Sequence, residues 1–174
     1  YIYIFGLRTI AGIPAQKYAI VARVRPEQLT DNAQWRYWDG ADWVADMKRC
    51  APISAEGCIS SEYSISYVPS GLYAGKYMLV YTRDTMMNQV QFATSDKLTG
   101  PYQDAQTVYF CDDGFSAFEA NGDATVFTYN AKAHPHLSQP GELLITYNVN
   151  SMEFDKDLSH EFLHPHFLRY FEIS

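Results

Sequence analysis

Two short stretches of the chain hold the residue types that could do chemistry. "ISSEYSISY" (59 to 67) places Glu62 at the head of a segment that alternates polar and apolar residues. A carboxyl group there can serve as a general acid or as a charge-stabilising base; a solvated edge glutamate would read the same way. "TYNAKAHPHLSQPGELLITYNVN" (128 to 150) crowds Asn130, Lys132, His134 and His136 before an apolar strand that ends on Tyr147, Asn148 and Asn150. A neutral imidazole at His134 can hydrogen-bond a hydroxyl, orient a carboxylate or hold a water or cation. A His-Pro-His turn that only packs and caps is the alternative. His134 and His136, two apart, share a face only if Pro135 leaves a strand intact. No third ligand at a suitable spacing completes a zinc site, and His160, His164 and His166 read as loop residues.

These residues need strands to position them. "YIYIFGLR", "YAIVARVR", "EYSISYV", "KYMLVYTR", "QVQFATS" and "ELLITYNV" are short, aromatic and β-branched, with period-2 alternation. Pro14, Pro26, Asp39-Gly40, Pro69-Ser70-Gly71, Gly75, Gly100-Pro101 and Pro140-Gly141 break them apart. "RPEQLTD" is the best helix candidate and reads as a turn. The fold class expected is therefore all-β.

The strands also repeat. "IYIFGLR", "YMLVYTR" and "LLITYNV" resemble one another, and a second strand and an aromatic stretch follow each of the first two. Four-stranded units at such spacing describe propeller blades. The segments would be about 1–50, 59–111 and 126–174, with the first unit entering at its second strand. A β-sandwich is the alternative fold.

Composition narrows the function classes. The chain has 174 residues, enough for one domain with a genuine core. Net charge is -7 and no Lys or Arg run builds a basic face, which argues against nucleic acid and anionic membranes as partners. No apolar stretch approaches the roughly 18 residues of a membrane span. With no initiator Met and no signal-like start, Tyr1 is expected to begin a processed or excised chain. Of the three cysteines, Cys50 and Cys58 would close a short disulfide loop in an oxidising compartment; three buried thiols, Cys111 included, are the alternative.

"TSDKLTGPYQDAQTVY" resembles the outer-strand signature of five-bladed β-propeller glycosidases of the arabinanase and fructosidase groups. "VARVRPEQLTDNAQWRYWDGADWV", with "NAKAHPHLS" and "ELLITYNVNS", resembles more narrowly the domain of unknown function 4185, which includes bacterial endo-D-arabinanases and uncharacterised secreted proteins. The resemblance runs from Tyr1 to about Ser151 and resumes at "PHFLRYFEI". It implies about two and a half four-stranded blades from the C-terminal portion of a five-bladed propeller. It further implies a secreted or extracellular glycoside hydrolase acting on a polysaccharide such as an arabinan or another cell-wall glycan. A lectin-like, non-catalytic carbohydrate-binding propeller is the alternative.

At the head of a blade's channel-lining strand, Glu62 is expected to act as general acid or stabilising carboxylate, with a pKa raised in a partly dry pocket, and by that resemblance Asn130, Lys132 and His134 line the channel. Tyr147 and Asn148 are further sugar contacts. No resident cofactor is expected, although the channel leaves room for a cation such as calcium. The acidic residue that such families place toward the N-terminus has no counterpart in this chain. An upstream propeller segment or a second copy would then complete the ring. Trp35, Tyr37, Trp38 and Trp43 are expected to wedge between blades rather than to stack on sugar.

Overall fold

The computed structural model describes residues 1–84, 88–111, 126–139, 141–153 and 165–170. Period-2 alternation produces eleven strands among them, and the helical elements are four 3-10 turns, one of them Pro26–Gln28 within "RPEQLTD". The first sheet is β1 (Ile2–Ile10), β2 (Gln16–Val24), β3 (Arg36–Trp38) and β4 (Trp43–Val44). The second is β5 (Ile59–Tyr67), β6 (Tyr77–Arg83), β7 (Gln89–Ser95) and β8 (Gln103–Phe110). The third is β9 (Val126–Ala133), β10 (Leu143–Ser151) and β11 (Pro165–Tyr170). Each sheet is an antiparallel meander in which sequence neighbours pair. The protein is thus all-β, built from small sheets in an arrangement that suits a propeller or a sandwich.

The middle sheet is covered on both faces, which is why "YMLVYT" is an almost unbroken buried run. Leu79, Tyr81 and Ala93 face the first sheet, where they meet Ala19, Val21, Ile53 and Ile59. Met78, Val80, Val90 and Phe92 face the third, against Ala131, Ile145, Tyr147 and Val149. Alternate side chains of one strand therefore enter two different cores.

"WRYWDGADWV" differs from the single outer strand expected: it folds as a tight hairpin, β3 and β4. The Asp39 carboxylate caps the turn by accepting the N–H groups of Ala41 and Asp42, 3.1 and 2.8 Å away. Those backbone bonds, with Arg49 beside it, hold its carboxyl below the usual range. Trp38 and Trp43 pair at 5.5 Å and pack on the core shared by the first and second sheets, in keeping with a wedge. The first sheet consequently has four strands of its own instead of opening at a second strand.

The expected Cys50–Cys58 disulfide is absent, and both of these cysteines are thiols. The buried Cys50 thiol points at the Val21 carbonyl, 3.7 Å away, within the first core. The Cys58 thiol donates instead to the Glu56 carboxylate at 3.3 Å. Burial, reinforced by Glu56, pushes it up to about 11. The two sulfurs serve separate neighbourhoods, so no bridge forms.

Candidate functional site

Glu62 lies in an irregular part of β5. Ile59 pairs with Arg83 and Tyr63 with Tyr81, so four steps of β5 run against two of β6. The Ser60 hydroxyl closes this bulge by donating to the Glu62 carbonyl at 2.5 Å. Past the bulge the strand is regular again: Tyr63 donates its hydroxyl to the Gly6 carbonyl, and Ser64 turns the other way, toward the third sheet. The half-buried Glu62 carboxylate makes no hydrogen bond or ion pair among the described residues.

A second bulge faces the first. β9 is laid along the second sheet by two bonds that cross between sheets. The Ala131 N–H donates to Thr82 Oγ1 at 3.3 Å, and the Ala133 N–H donates to Ser64 Oγ at 2.8 Å. Thr82 sits between Arg83 and Tyr81, whose partners bracket the Glu62 bulge. Opposite β10, Tyr129 pairs with Asn148 and Lys132 with Thr146, so β9 carries one extra residue here. Asn130 absorbs it with φ 63, a left-handed conformation that Asn tolerates better than most side chains. Its Oδ1 is buried and accepts no hydrogen bond. A buried acceptor left unmet costs about 1–3 kcal/mol, so this amide is kept at some expense to stability. Asn130→Gly should therefore stabilise the protein by about 1 kcal/mol, the removed orphan outweighing the glycine's greater chain entropy. Urea denaturation reads this directly; a loss of stability would mean that the amide is satisfied in solution.

The other expected site residues go elsewhere. Lys132 pairs with Thr146, on the face of the third sheet turned away from Ala131, Ala133 and the second sheet. His134 Nε2 lies 2.9 Å from Thr146 Oγ1, while its backbone anchors a 3-10 turn (Pro135–Leu137) closed by the Ser138 hydroxyl. His136 is exposed, its ring 6.1 Å from that of His134. The structure thus gives the His-Pro-His stretch a turn-shaping role and does not set His134 beside Glu62. Tyr147 is a correction. It is 3% exposed and packs its ring against Tyr109 in the core between the second and third sheets, so it offers no sugar contact. Asn148 stands half-buried on the opposite face of β10, paired with Tyr129 and Pro165. His166 is a strand residue of β11 opposite Tyr147, not a loop residue, while His160 and His164 lie outside the described residues.

Burial, then the neighbouring His136 and Lys132, lowers the His134 pKa. The folded protein therefore takes up this proton at lower pH than the unfolded chain, whose histidine titrates near pH 6.5. Stability from the neutral ring is full above that value and is lost as pH falls below it. His134→Gln should flatten the fall of the melting temperature between pH 7 and pH 5. An unchanged slope would assign it to other groups.

A cavity of about 190 Å³ that the sequence barely foreshadows lies between the far ends of β5 and β9. Ser66, Tyr67, Met78, Ala133, Glu142 and Leu143 are among its walls, and none of the six expected site residues is. It forms between two hairpins far apart in sequence, and only the alternation that turns Ser66 to the side of Ser64 hinted at it. No group of three or more His, Cys, Asp or Glu among the described residues is placed to hold a metal ion.

Residues 1–173 match the model of a family described as a domain of unknown function, DUF5005. No curated protein matches the chain. Among solved structures, a protein of Bacteroides ovatus ATCC 8483 described as a "putative hydrolase" is 19% identical and superposes with a TM-score of 0.65. The match covers 96% of this chain and 41% of that one, so the chain spans less than half the length of that relative. At this identity the likeness is one of fold.

Proposed function

The chain belongs to the DUF5005 family, and on that premise we propose that it is part of a hydrolase-like β-propeller acting on an extracellular polysaccharide. Arabinan or another cell-wall glycan is the substrate class, in line with the resemblance to the 4185 group and its endo-D-arabinanases. The observation that carries the reading is the pair of facing bulges at the first strands of adjacent sheets. One presents Glu62; the other holds Asn130 with a buried, unmet amide oxygen. Bulges beside active sites re-aim side chains, and an unmet acceptor suits a sugar hydroxyl. Glu62 acts as general acid or stabilising carboxylate, and Asn130 holds the sugar. Lys132, His134 and Asn148, on the far face of the third sheet, belong to the wall that would meet a following blade. An upstream propeller segment completes the ring, a second copy being the other arrangement, and supplies the remaining acid; a channel cation such as calcium is compatible with this.

One observation favours a lectin-like reading. β6 and β9, the strands beside Glu62, contain no Asp or Glu, whereas glycoside hydrolysis usually takes a second carboxyl about 5 to 10 Å away. Mass spectrometry of arabinan, galactan and wall digests, run beside a glycan array, separates the two. Released oligosaccharides support the hydrolase; array binding without release supports the lectin.

A further inference from the structure

We propose that the cavity between the β5–β6 and β9–β10 hairpins is a second saccharide subsite, selective for a sugar carrying a methyl-bearing substituent such as an N-acetyl or 6-deoxy group. The saccharide class rests on the glycan reading above; the selectivity rests on the walls. Val68, Met78, Ala133 and Leu143 are all buried and form an apolar floor with no side-chain hydrogen-bond partner to offer. A fully hydroxylated ring pressed onto that floor would lose its water without replacement. A methyl group loses nothing there and gains the burial of its apolar surface.

The rim is different in kind. The Ser66 and Ser70 hydroxyls and the Gln139 amide can serve ring hydroxyls, and Tyr67 offers a wall that is 53% exposed, held edge-on to Tyr77 at 5.4 Å. Among the described lining residues Glu142 is the one acid, and no Lys, Arg or His lines the walls. That balance disfavours uronic acids and other anionic sugars. At about 190 Å³ the space suits the substituent and part of a ring, with the remainder leaving through the open side.

Calorimetric titration with N-acetylglucosamine, fucose, glucose, glucuronate and tetramethylammonium tests this without any turnover. N-acetylglucosamine or fucose should bind about tenfold more tightly than glucose, the worth of one well-buried methyl, and the pair tells acetyl from deoxy recognition. Glucuronate should bind more weakly than glucose. Ser66→Leu, which fills the cavity, should abolish the preference. Tyr67→Ala, at an exposed position that tolerates truncation, should weaken binding roughly fivefold and stands in if Ser66→Leu does not fold. These affinities are read without any turnover, so a failed hydrolase reading and a failed subsite are told apart. Equal binding of glucose and both methyl-bearing sugars, persistence of the preference in Ser66→Leu, or binding of tetramethylammonium alone would overturn the proposal.

Discussion

Gly100→Ala should lower stability by roughly 3 kcal/mol, far more than the same change at Gly75. Both glycines take left-handed backbone, φ 78 and φ 82. A side chain in that conformation costs about 1–2 kcal/mol wherever it stands. Their surroundings differ. A Cβ at Gly75 would meet nothing within 4 Å, whereas one at Gly100 would run into the Ile53 carbonyl oxygen and the backbone behind it. That carbonyl is already engaged, accepting the Tyr102 N–H at 2.7 Å, while the Tyr102 carbonyl accepts the Ala55 N–H at 2.8 Å. Ile53 in turn donates to the Ala19 carbonyl at 2.8 Å, and Ser54 Oγ accepts the Ala19 N–H at 3.1 Å. The segment between the first and second sheets is thus stitched to β2 on one side and to the turn before β8 on the other. Pushing it aside strains two hydrogen bonds, worth about 1 kcal/mol each, beyond the conformational cost. Urea denaturation of both variants should separate them by about 2 kcal/mol. Equal losses would show that the close approach at Gly100 carries no stability.

The same clamp gives physical content to "TSDKLTGPYQDAQTVY". Gly100 allows the approach and the buried Tyr102 fills the core behind it, its hydroxyl bonded to the Leu98 carbonyl at 3.1 Å. Lys76 pairs with Asp96 at the surface. This stretch, quoted above for its resemblance to propeller glycosidases, therefore holds sheets together. This explains how a fold can be legible where a substrate is not.

Strands were readable because alternation records which faces are buried, and it needs no knowledge of the neighbours. Tyr147 was readable too: it shares parity with Ile145 and Val149, the apolar set of β10, while Thr146 and Asn148 carry the polar set. Its hydroxyl and its place near the strand end suggested a sugar contact, but period 2 decides the matter. The bulges were not readable. A bulge is a mismatch between two strands, and neither "ISSEYSISY" nor "TYNAKA" contains its partner. The family resemblance puts Lys132 and His134 in a channel, yet the bulge at Asn130 sets which face each takes. The free thiols of Cys50 and Cys58 followed likewise from where the inter-sheet segment runs rather than from the spacing between them.

Glu62→Gln should reduce glycan hydrolysis by about 10²- to 10⁴-fold in kcat, the usual contribution of a positioned proton donor, while leaving KM and the fold almost unchanged. The substitution keeps the shape of the side chain and the Ser60 bond to the Glu62 carbonyl, because that bond is made by backbone. It removes only the ability to give up or accept a proton and to carry charge. A residue that merely holds the substrate would behave differently, raising KM with kcat preserved. Asn130→Gly supplies that contrast within the same site, since its amide oxygen accepts hydrogen bonds but transfers nothing. The two variants should split cleanly, Glu62→Gln in kcat and Asn130→Gly in KM. The reducing sugar released in the first seconds also reports the anomer formed, and so the spacing of the partner carboxyl, about 5 Å for retention and about 6.5–9.5 Å for inversion. Wild type and Glu62→Gln releasing product at the same rate would remove Glu62 from the chemistry. The facing bulges would then stand as a binding surface alone.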